Sequence, residues 1–419
     1  MKKYRTRPLL LGLLLTAAIQ GSAQVRPELA PHPPMGWNSW NYFGKEGINE
    51  KIVYEVIDAM VTNGLRDAGY QYVIIDGGWR DEKLDKDGRL RPHPVRFPNG
   101  IKPLADYAHA KGLKLGLHTV PGTHDCGGNP VGGYGKEALQ VKQFADWGID
   151  FIKLDLCRMK EDPCKQCAIG RTGWSEPTIK TVYSKWSRLL HQCGRDIVFS
   201  ISAYQFRPWN PALGNMSRTT RDILSKRNPS GAVFNDASRD NSKSFLSVMA
   251  CAEINNASAK YAGNGYWNDP DMLVTGNQGL TAGEEQAHFA LWAIMNAPLM
   301  LGNDPRNMDP REKTLLLNKE LIAVDQDRAG QGRLMIKKPG YQVWKKEMED
   351  GSAVLLLLNL DTKAQHQITV RLRKLGIKGN TAARDVIAQE DLGLFRKKWS
   401  ARLAPHTCRL IRFEKTGKR

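Results

Sequence analysis

Two aspartates, Asp155 and Asp222, have the residue type and the sequence setting of a pair of catalytic carboxylates. Asp155 ends the apolar run 148–155, and Asp222 ends a second short run. Because side chains alternate along a strand, Lys153 and Asp155 share one face. Such charges are costly to bury without a polar cavity, so we expect both aspartates to face a catalytic pocket. The alternative is a buried structural ion pair.

The elements that would position these side chains alternate between short apolar strands and amphipathic helices, which predicts strand-helix units around a parallel sheet. The predicted strands are 35–40, 72–76, 113–118, 151–155, 197–202, 217–222, 265–267 and 298–301. The predicted helices are 50–68, 101–111, 135–147, 178–192 and 283–296, with Gly112, Gly148 and Gly194 as stop signals. Eight units predict an α/β (β/α)8 TIM barrel over residues 30–327, with its active site at the carboxyl ends of the strands.

After residue 327 the pattern changes to alternating strands separated by turn signals. Strands are predicted at 341–345, 353–359, 366–372 and 407–413. This pattern predicts a C-terminal antiparallel β-sandwich over residues 328–419. It carries no catalytic constellation, so we expect it to pack against the barrel or to support the substrate side.

The N-terminal residues 1–23 have the layout of a secretory signal peptide. Basic residues precede an apolar stretch at 9–18, and small residues follow at 21–23. The stretch is too short for a confident membrane span, and no later segment offers about 20 uninterrupted apolar residues. We therefore expect a soluble protein, exported to the periplasm or the extracellular space, without a membrane span.

Seven cysteines follow the signal, an odd number, so at least one thiol stays free. Cys164 and Cys167 have the spacing of half a zinc site. No second pair of matching spacing follows, which favours a loop disulfide over a metal site. Spacing alone leaves open how Cys164, Cys167, Cys193, Cys251 and Cys408 pair.

The 419 residues carry a formal net charge of +18, and the basic excess is concentrated after about residue 330. The basic residues scatter over alternating strand positions and do not form one stripe with interleaved aromatics. We interpret them as a solvated basic face that favours acidic glycans or an anionic surface. Nucleic acid is not an expected partner.

Four motifs, taken together and in order, resemble glycoside hydrolase family 27, the α-galactosidases and α-N-acetylgalactosaminidases. They are Met35-Gly36-Trp37-Asn38-Ser39-Trp40, Lys153-Leu154-Asp155-Leu156-Cys157, Arg218-Thr219-Thr220-Arg221-Asp222 and Trp267-Asn268-Asp269-Pro270-Asp271-Met272-Leu273. The resemblance runs from about residue 34 to the end of the chain. It implies a (β/α)8 barrel followed by an antiparallel β domain, and a retaining mechanism without a cofactor.

By this resemblance Asp155 is the nucleophile and Asp222 the acid/base. Retaining hydrolysis needs two carboxylates about 5 Å apart, one ionised and one protonated. Lys153 would keep Asp155 ionised, whereas a pKa raised by burial would suit the proton donor. Arg218 matches an arginine that contacts the sugar, and its alternative role is a plain ion pair.

A sugar offers apolar C–H faces and a rim of hydroxyls, so its site needs aromatic planes and fixed polar groups. The aromatic candidates are Trp40, Trp79 and Trp267, each of which could instead belong to the core. Asp76 and Asp271 are candidates for hydroxyl binding. Met272 matches a family position that touches the ring, with a core role as the alternative. By the same resemblance Cys126 pairs with Cys157 in a disulfide.

Three positions depart from the galactosidase pattern. Gly77 stands where the family has a second aspartate, His118 replaces a tyrosine of the third strand, and Ser202 lies where the family has Cys-Glu-Trp. A lost hydroxyl partner costs discrimination between sugars. Terminal α-galactose is the expected substrate, with α-N-acetylgalactosaminides, α-glucosides and β-L-arabinopyranosides as alternatives. His118 and Ser202 are candidate substrate contacts, and a core or rim role is the alternative for His118.

Two further hypotheses belong to other functional classes. One is a carbohydrate-binding barrel that has lost catalysis, suggested by the missing carboxylates near Gly77 and Ser202. The other is a metal-dependent hydrolase using His118, His124, Asp76 and Asp155 as ligands. Lys153 argues against the second, because its charge would repel a cation.

Overall fold

A computed structural model of the chain describes residues 26–157, 174–223, 244–277 and 279–415. The predicted signal peptide and the pair Cys164 and Cys167 lie outside these ranges. Across the described residues, no helix combines the length and apolar character that a bilayer-spanning helix requires.

Eight parallel strands form the barrel, and all of their residues are buried except Lys114 and Lys153. They are β1 (Met35–Asn38), β2 (Tyr72–Ile75), β3 (Lys114–Thr119), β4 (Phe151–Asp155), β5 (Val198–Ser202), β6 (Met216–Arg218), β7 (Trp267–Asp269) and β8 (Leu299–Leu301). Within the described residues the hydrogen-bonded order is β7-β6-β5-β4-β3-β2-β1-β8. The predicted (β/α)8 architecture is therefore confirmed.

The barrel closes between β7 and β8 through residues that follow β7. Leu273 forms a parallel bridge with Leu301. Its N–H donates to the carbonyl of Met300 and its carbonyl accepts from Gly302, each at 2.8 Å. The Asp269-Pro270-Asp271 turn interrupts the strand, because proline has no N–H to give and Asp271 has a φ of 94°. The barrel is thus closed by the Leu273–Leu301 bridge, which lies just after the acidic turn.

Helices cover the outside of the barrel and connect its strands. In the described part of the chain they are α1 (Trp40–Gly47), α2 (Glu50–Thr62), α3 (Lys102–Ala110), α4 (Glu137–Asp146), α5 (Glu176–Gln192), α6 (Asn210–Leu213), α7 (Ser244–Asn256), α8 (Ala282–Ile294), α9 (Pro310–Leu316) and α10 (Lys319–Gln326). Side-chain caps stabilise the N-termini of two of these helices. At α2 the side chain of Asn49 accepts a hydrogen bond from the N–H of Ile52, and at α8 Thr281 forms a capping box with Glu284.

The alternation of side chains along each strand separates a packed floor from a polar rim. The inward residues near the strand starts form one apolar cluster, which includes Tyr72, Phe151, Val198, Met216 and Trp267. Closer to the carboxyl ends of the strands the inward residues are polar, among them Asp76, Asp155, Ser202 and Arg218. The floor is tightly packed, since a Cβ added at Gly116 would lie 2.9 Å from the Cβ of Phe151. The barrel is therefore solid below and polar at the carboxyl ends of its strands.

The C-terminal domain is an antiparallel sandwich, as predicted. Its strands are β9 (Arg333–Lys338), β10 (Tyr341–Glu347), β11 (Ala353–Asn359), β12 (His366–Arg371), β13 (Thr381–Asp385), β14 (Glu390–Phe395), β15 (Lys398–Leu403) and β16 (Cys408–Lys415). In the described residues they form a six-stranded sheet, β14-β13-β16-β11-β10-β9, and a two-stranded sheet, β12-β15. Helix α8 contacts the sandwich, so the domain rests against the barrel.

Two strand predictions were misplaced. The run 217–222 was predicted as a strand ending at Asp222, whereas β6 ends at Arg218 and Asp222 lies in the following loop. The seventh strand was predicted at 265–267 and begins only at Trp267. The remaining barrel strands agree with their predictions to within two residues at each end.

Candidate active site

Seven of the eight barrel strands, β1 to β7, deliver a polar side chain to the same end of the barrel. The inward-facing residues at or just after the strand ends are Asn38, Asp76, His118, Asp155, Ser202, Arg218 and Asp269, and all are buried. Buried polar groups on one rim must satisfy one another or a ligand. This rim is therefore the candidate active site.

Lys153 joins the two carboxylates on one side of the rim. Its Nζ lies 2.8 Å from Asp76 Oδ2 and 3.9 Å from Asp155 Oδ2. Burial lowers the pKa of Lys153, but the charges of Asp76 and Asp155 outweigh burial and raise that pKa above its usual value. Burial likewise raises the pKa of Asp76, yet Lys153 and His118 hold it below the ordinary range. These groups therefore stay ionised together.

Asp155, at the end of β4, is held as a carboxylate. Burial acts to raise its pKa, but the neighbouring His118 ring and the charge of Lys153 lower it below the usual value. Tyr204 also donates its hydroxyl hydrogen to Asp155 Oδ1. An ionised, buried carboxylate with oriented donors is the state that a nucleophile requires.

A buried arginine sets the orientation of His118. One Nη of Arg80 lies 3.3 Å from His118 Nδ1, and the other lies 3.3 Å from Thr119 Oγ1. A guanidinium has only donors, so Nδ1 accepts and the ring hydrogen sits on Nε2. His118 Nε2 lies 3.7 Å from Asp155 Oδ2. Arg80 thereby turns an N–H of His118 toward Asp155.

The opposite side of the rim is rich in acids. Arg218 contacts Asp222 Oδ1 at 3.0 Å and Asp271 Oδ1 at 3.1 Å. Burial lowers the pKa of Arg218, but the charges of Asp271 and Asp222 outweigh burial and raise it. The contact with Asp222 arises from the loop after β6 and not from strand alternation.

The raised pKa values on this side belong to Asp271 and Asp269. Burial raises the pKa of Asp271 to about 7, and the charge of Asp222 adds to the rise while Arg218 opposes it. Burial also raises the pKa of Asp269. Asp271 therefore keeps a proton up to a higher pH than an ordinary aspartate, on the side of the rim that holds Asp222.

Tyr204 joins the two sides of the rim. Burial raises its pKa well above the usual value, and the charges of both Asp155 and Asp222 raise it further. Its backbone has a φ of 58°, an uncommon conformation for a tyrosine. Asp155 and Asp222 thus act on the same hydroxyl group from different elements of the barrel.

Two of the three departures from the family pattern shape the cavity wall. At Gly77 an added Cβ would lie 3.1 Å from Trp40 Cζ3, so the indole ring occupies the space beside the glycine. Trp40 remains partly exposed. Ser202 pairs with Asp155 in the β4–β5 ladder, and its buried Oγ has no hydrogen-bond partner among the described residues. An unsatisfied hydroxyl next to the carboxylate is available to a ligand.

Three aromatic or apolar candidates lie within the protein core. Trp79 is fully buried, packs against Phe144 and Trp147, and donates its indole N–H to the carbonyl of His118. It leaves no surface for a sugar, so its expected substrate contact is corrected to a packing role. Trp267 belongs to the barrel floor, and Met272 is buried against the same cluster.

Cys126 and Cys157 form the disulfide that the resemblance implied, with their Cα atoms 5.1 Å apart. It ties the loop after β3 to the residue two positions beyond Asp155. In the part of the chain that the structure describes, Cys193, Cys251 and Cys408 are free thiols, which confirms that at least one thiol is unpaired. The bridge holds the backbone that carries Asp155.

The residues proposed as metal ligands do not make a suitable site for a cation. Lys153 and Arg80 place positive charge beside Asp76, His118 and Asp155. His124 instead contacts the hydroxyl of Thr123. The geometry therefore favours hydrogen bonding and ion pairing over metal coordination.

Sequence reasoning missed Tyr204, Arg80 and Asn38 as members of the site. Asn38 donates to Asp76 Oδ2 at 3.0 Å. The signals were present but weak: Asn38 shares the inward face of β1, Arg80 follows the Asp-Gly-Gly-Trp segment, and Tyr204 comes two residues after Ser202. Loop residues such as Arg80 and Tyr204 have no strand alternation to predict their direction.

Comparison with known proteins covers both domains. The family model described as alpha galactosidase A matches residues 32–327. The model described as alpha galactosidase C-terminal beta sandwich domain matches residues 338–413. The two matches correspond to the barrel and the sandwich.

Individual relatives extend over nearly the whole chain. Alpha-galactosidase 2 of Arabidopsis thaliana is 38% identical over 388 residues, covering 91% of this chain and 89% of that protein. The crystal structure of alpha-galactosidase I from Mortierella vinacea superposes with a TM-score of 0.79 at 29% identity, covering 93% of this chain and 98% of that one. A β-L-arabinopyranosidase from Geobacillus stearothermophilus gives a TM-score of 0.75 at 26% identity over 93% and 98% of the two chains.

Proposed function

Since this chain belongs to glycoside hydrolase family 27, the α-galactosidase family, we propose that it is an exported, retaining exo-glycosidase that removes terminal α-D-galactosyl residues from oligosaccharides or polysaccharides. The predicted signal at residues 1–23 and the Cys126–Cys157 disulfide support export. The observation that carries the proposal is that Asp155 and Asp222, from different elements of the barrel, both act on the hydroxyl of Tyr204, whose pKa their charges raise.

The proposed reaction proceeds in two displacements. The carboxylate of Asp155 attacks the anomeric carbon while Asp222 gives its proton to the glycosidic oxygen, so an ester bond forms as the bond to the leaving group breaks. Asp222 then takes a proton from water, whose oxygen attacks the anomeric carbon and releases Asp155. Two inversions give net retention.

The remaining rim residues have supporting roles in this proposal. Lys153, His118 and the hydroxyl of Tyr204 keep Asp155 ionised. Asp76 and Arg218 would hydrogen-bond sugar hydroxyls, as would Asp271, and the partly exposed ring of Trp40 would face the sugar ring. Met272 would support Trp40 by packing in the apolar cluster beneath it.

A second candidate substrate is a β-L-arabinopyranoside, favoured by Gly77. This sugar has the ring configuration of α-D-galactose but no hydroxymethyl group. Where the family has a second carboxylate, this chain has a glycine covered by Trp40. A wall without that carboxylate provides one partner fewer for the extra hydroxyl of galactose.

A panel of nitrophenyl glycosides tests the proposal, using α-galactose, α-N-acetylgalactosamine, α-glucose and β-L-arabinopyranose. We expect the highest kcat/KM on the α-galactoside, and the α anomer as the first product seen by NMR. A higher kcat/KM on the arabinopyranoside would favour the second candidate. First formation of the β anomer would contradict the role of Asp155, and sugar binding without any cleavage would indicate a binding barrel.

A further inference from the structure

The outer layer of the sandwich domain presents a cationic surface far along the chain from the catalytic residues. Strands β12 and β15 pair with Gln367 opposite Arg402, Thr369 opposite Ser400 and Arg371 opposite Lys398. All six side chains are exposed. Four exposed cations flank this ladder. We call these ten residues the basic face: Gln367, Thr369, Arg371, Arg373, Lys374, Arg396, Lys397, Lys398, Ser400 and Arg402.

The alternation of buried and exposed positions fixes the direction of this face. The intervening residues Ile368, Val370 and Trp399 are buried in the sandwich core together with strands of the six-stranded sheet. The N–H of Leu372 donates to the carbonyl of Lys397, which continues the ladder and holds both flanking segments beside it. The basic face is thus the solvent side of a rigid two-stranded sheet.

The cations of the basic face have no acidic counterpart. Segments 366–378 and 395–403 contain no aspartate or glutamate. None of the seven cations makes a side-chain ion pair or hydrogen bond with another described residue. Arg371 and Lys398 even stand directly opposite each other, an arrangement that destabilises a sheet.

Elsewhere in the same domain several arginines are paired. Arg384 contacts Glu320 and Asp391, and Arg409 contacts Asp385 at 2.7 Å. The basic face therefore differs from these sites in concentrating seven cations on one surface without an acidic partner among the described residues. A row of unpaired cations on a strand ladder attracts a polyanion electrostatically.

We infer that the basic face binds an acidic polysaccharide, a glycan chain that carries carboxylate or sulfate groups at regular intervals. Alternate side chains along a strand lie about 6.6 Å apart, so several cations can contact successive anionic groups of an extended chain. The hydroxyls of Thr369 and Ser400 and the amide of Gln367 lie among the cations and match sugar hydroxyls. No aromatic side chain is exposed among the ten residues for stacking on nucleic-acid bases, and no apolar side chain for insertion into a membrane.

This inference rests on the proposed function in one respect. It identifies the polymer whose galactosyl branches the barrel would remove as an acidic glycan, held by the sandwich while the barrel acts. Binding through the basic face does not itself require hydrolysis, so the two can be tested separately.

The test is the affinity of the full protein for polygalacturonate and for chondroitin sulfate at low ionic strength, measured by affinity electrophoresis and calorimetry. The variant is Arg371→Gln/Lys398→Gln/Arg402→Gln. The matched control is Lys180→Gln/Arg188→Gln/Lys319→Gln, which removes three exposed cations elsewhere. We expect the variant to bind at least about 10-fold more weakly than the control, and binding to fall steeply with added salt. The two polymers distinguish carboxylate from sulfate as the bound group.

Equal affinity of the variant and the control for both polymers would overturn the inference. So would equally tight binding of DNA or of phosphatidylglycerol vesicles, because the face would then attract any polyanion. Cleavage of nitrophenyl α-galactoside should be the same in variant and control. If no glycoside is cleaved but polymer binding is lost in the variant alone, the proposed function fails while the binding surface stands.

Discussion

The two sides of the barrel rim differ in their balance of charge. Around Asp155, the carboxylates of Asp155 and Asp76 face Lys153, with Arg80 and His118 close by. Around Asp222, three carboxylates share one arginine, Arg218. Burial raises carboxylate pKa values on both sides, but only the first side has enough cations to reverse it.

The difference shows how one cavity can hold one ionised and one protonated acid at the same pH. Cation excess keeps a nucleophile charged, whereas acid excess keeps a proton available. The raised pKa values belong to Asp271 and Asp269, on the side of the rim where Arg218 contacts Asp222 and Asp271. We therefore assign the available proton to this side of the rim.

The largest effect is expected when each candidate catalytic carboxylate is removed in turn. Asp155→Ala should abolish turnover of every glycoside, because no other group can form the ester. Asp222→Ala should lose about 10²–10⁴-fold on substrates with poor leaving groups. It should still form the glycosyl-enzyme from a dinitrophenyl galactoside, whose leaving group needs no proton. Steady-state kinetics with both substrate classes measure the contrast.

Azide provides the control for this pair of variants. Azide is an anion and needs no general base, so it should restore turnover of the dinitrophenyl substrate by Asp222→Ala and give α-galactosyl azide. Equal losses on both substrates, or α-galactosyl azide from Asp155→Ala, would reverse or eliminate the assigned roles.

An intermediate effect is expected from Asp271→Asn on stability. An unfolded aspartate has a pKa of about 3.9, and burial raises that of Asp271 to about 7. The folded state therefore binds the extra proton between these values, and its stabilising contribution is present below about pH 4 and lost as pH rises through 7. Urea unfolding at several pH values should show the wild type losing, relative to the variant, on the order of a few kcal/mol across this window. Parallel curves would show that Asp271 does not retain the proton.

The smallest effect is expected from Tyr204→Phe. The hydroxyl stabilises the ionised form of Asp155, so its removal should raise the pKa of Asp155. The acidic limb of the kcat/KM profile should therefore move to higher pH. Tyr107→Phe is the matched control, because Tyr107 donates to Asp58 at 2.8 Å on the surface. A shift of the same size in both variants would contradict a specific role for Tyr204.

Much of the fold follows from periodicity because the barrel strands have a clear apolar pattern. β4 occupies the predicted residues 151–155. β6 and β7 are only three residues long, and the turn at Pro270 interrupts the apolar pattern after β7. The ends of these two strands are set by contacts with neighbouring strands and could not be predicted from the sequence pattern. In the sandwich, β9, β13, β14 and β15 were not predicted, although β15 alternates between exposed and buried positions; β14 is mostly exposed and has no such regular pattern.

The site was predictable where strand alternation applies and not where loops decide. Lys153 and Asp155 share a face, as their spacing predicted. Trp79 shows the limit of reasoning from residue type, since an aromatic residue beside a rim aspartate serves equally as packing. The direction of a loop side chain such as Tyr204 depends on a backbone φ of 58° that its own residue type disfavours.

The closure of the barrel has a consequence for heat inactivation. In the described residues, neighbouring barrel strands share ladders, but β7 and β8 meet through the Leu273–Leu301 bridge. Local unfolding begins where neighbouring strands share the fewest hydrogen bonds. We therefore expect the backbone amides of Leu273 and Gly302 to exchange first. The acidic turn immediately precedes this seam. Warming should therefore abolish proton donation before the remaining strands separate, and enzymatic activity should disappear below the global melting temperature.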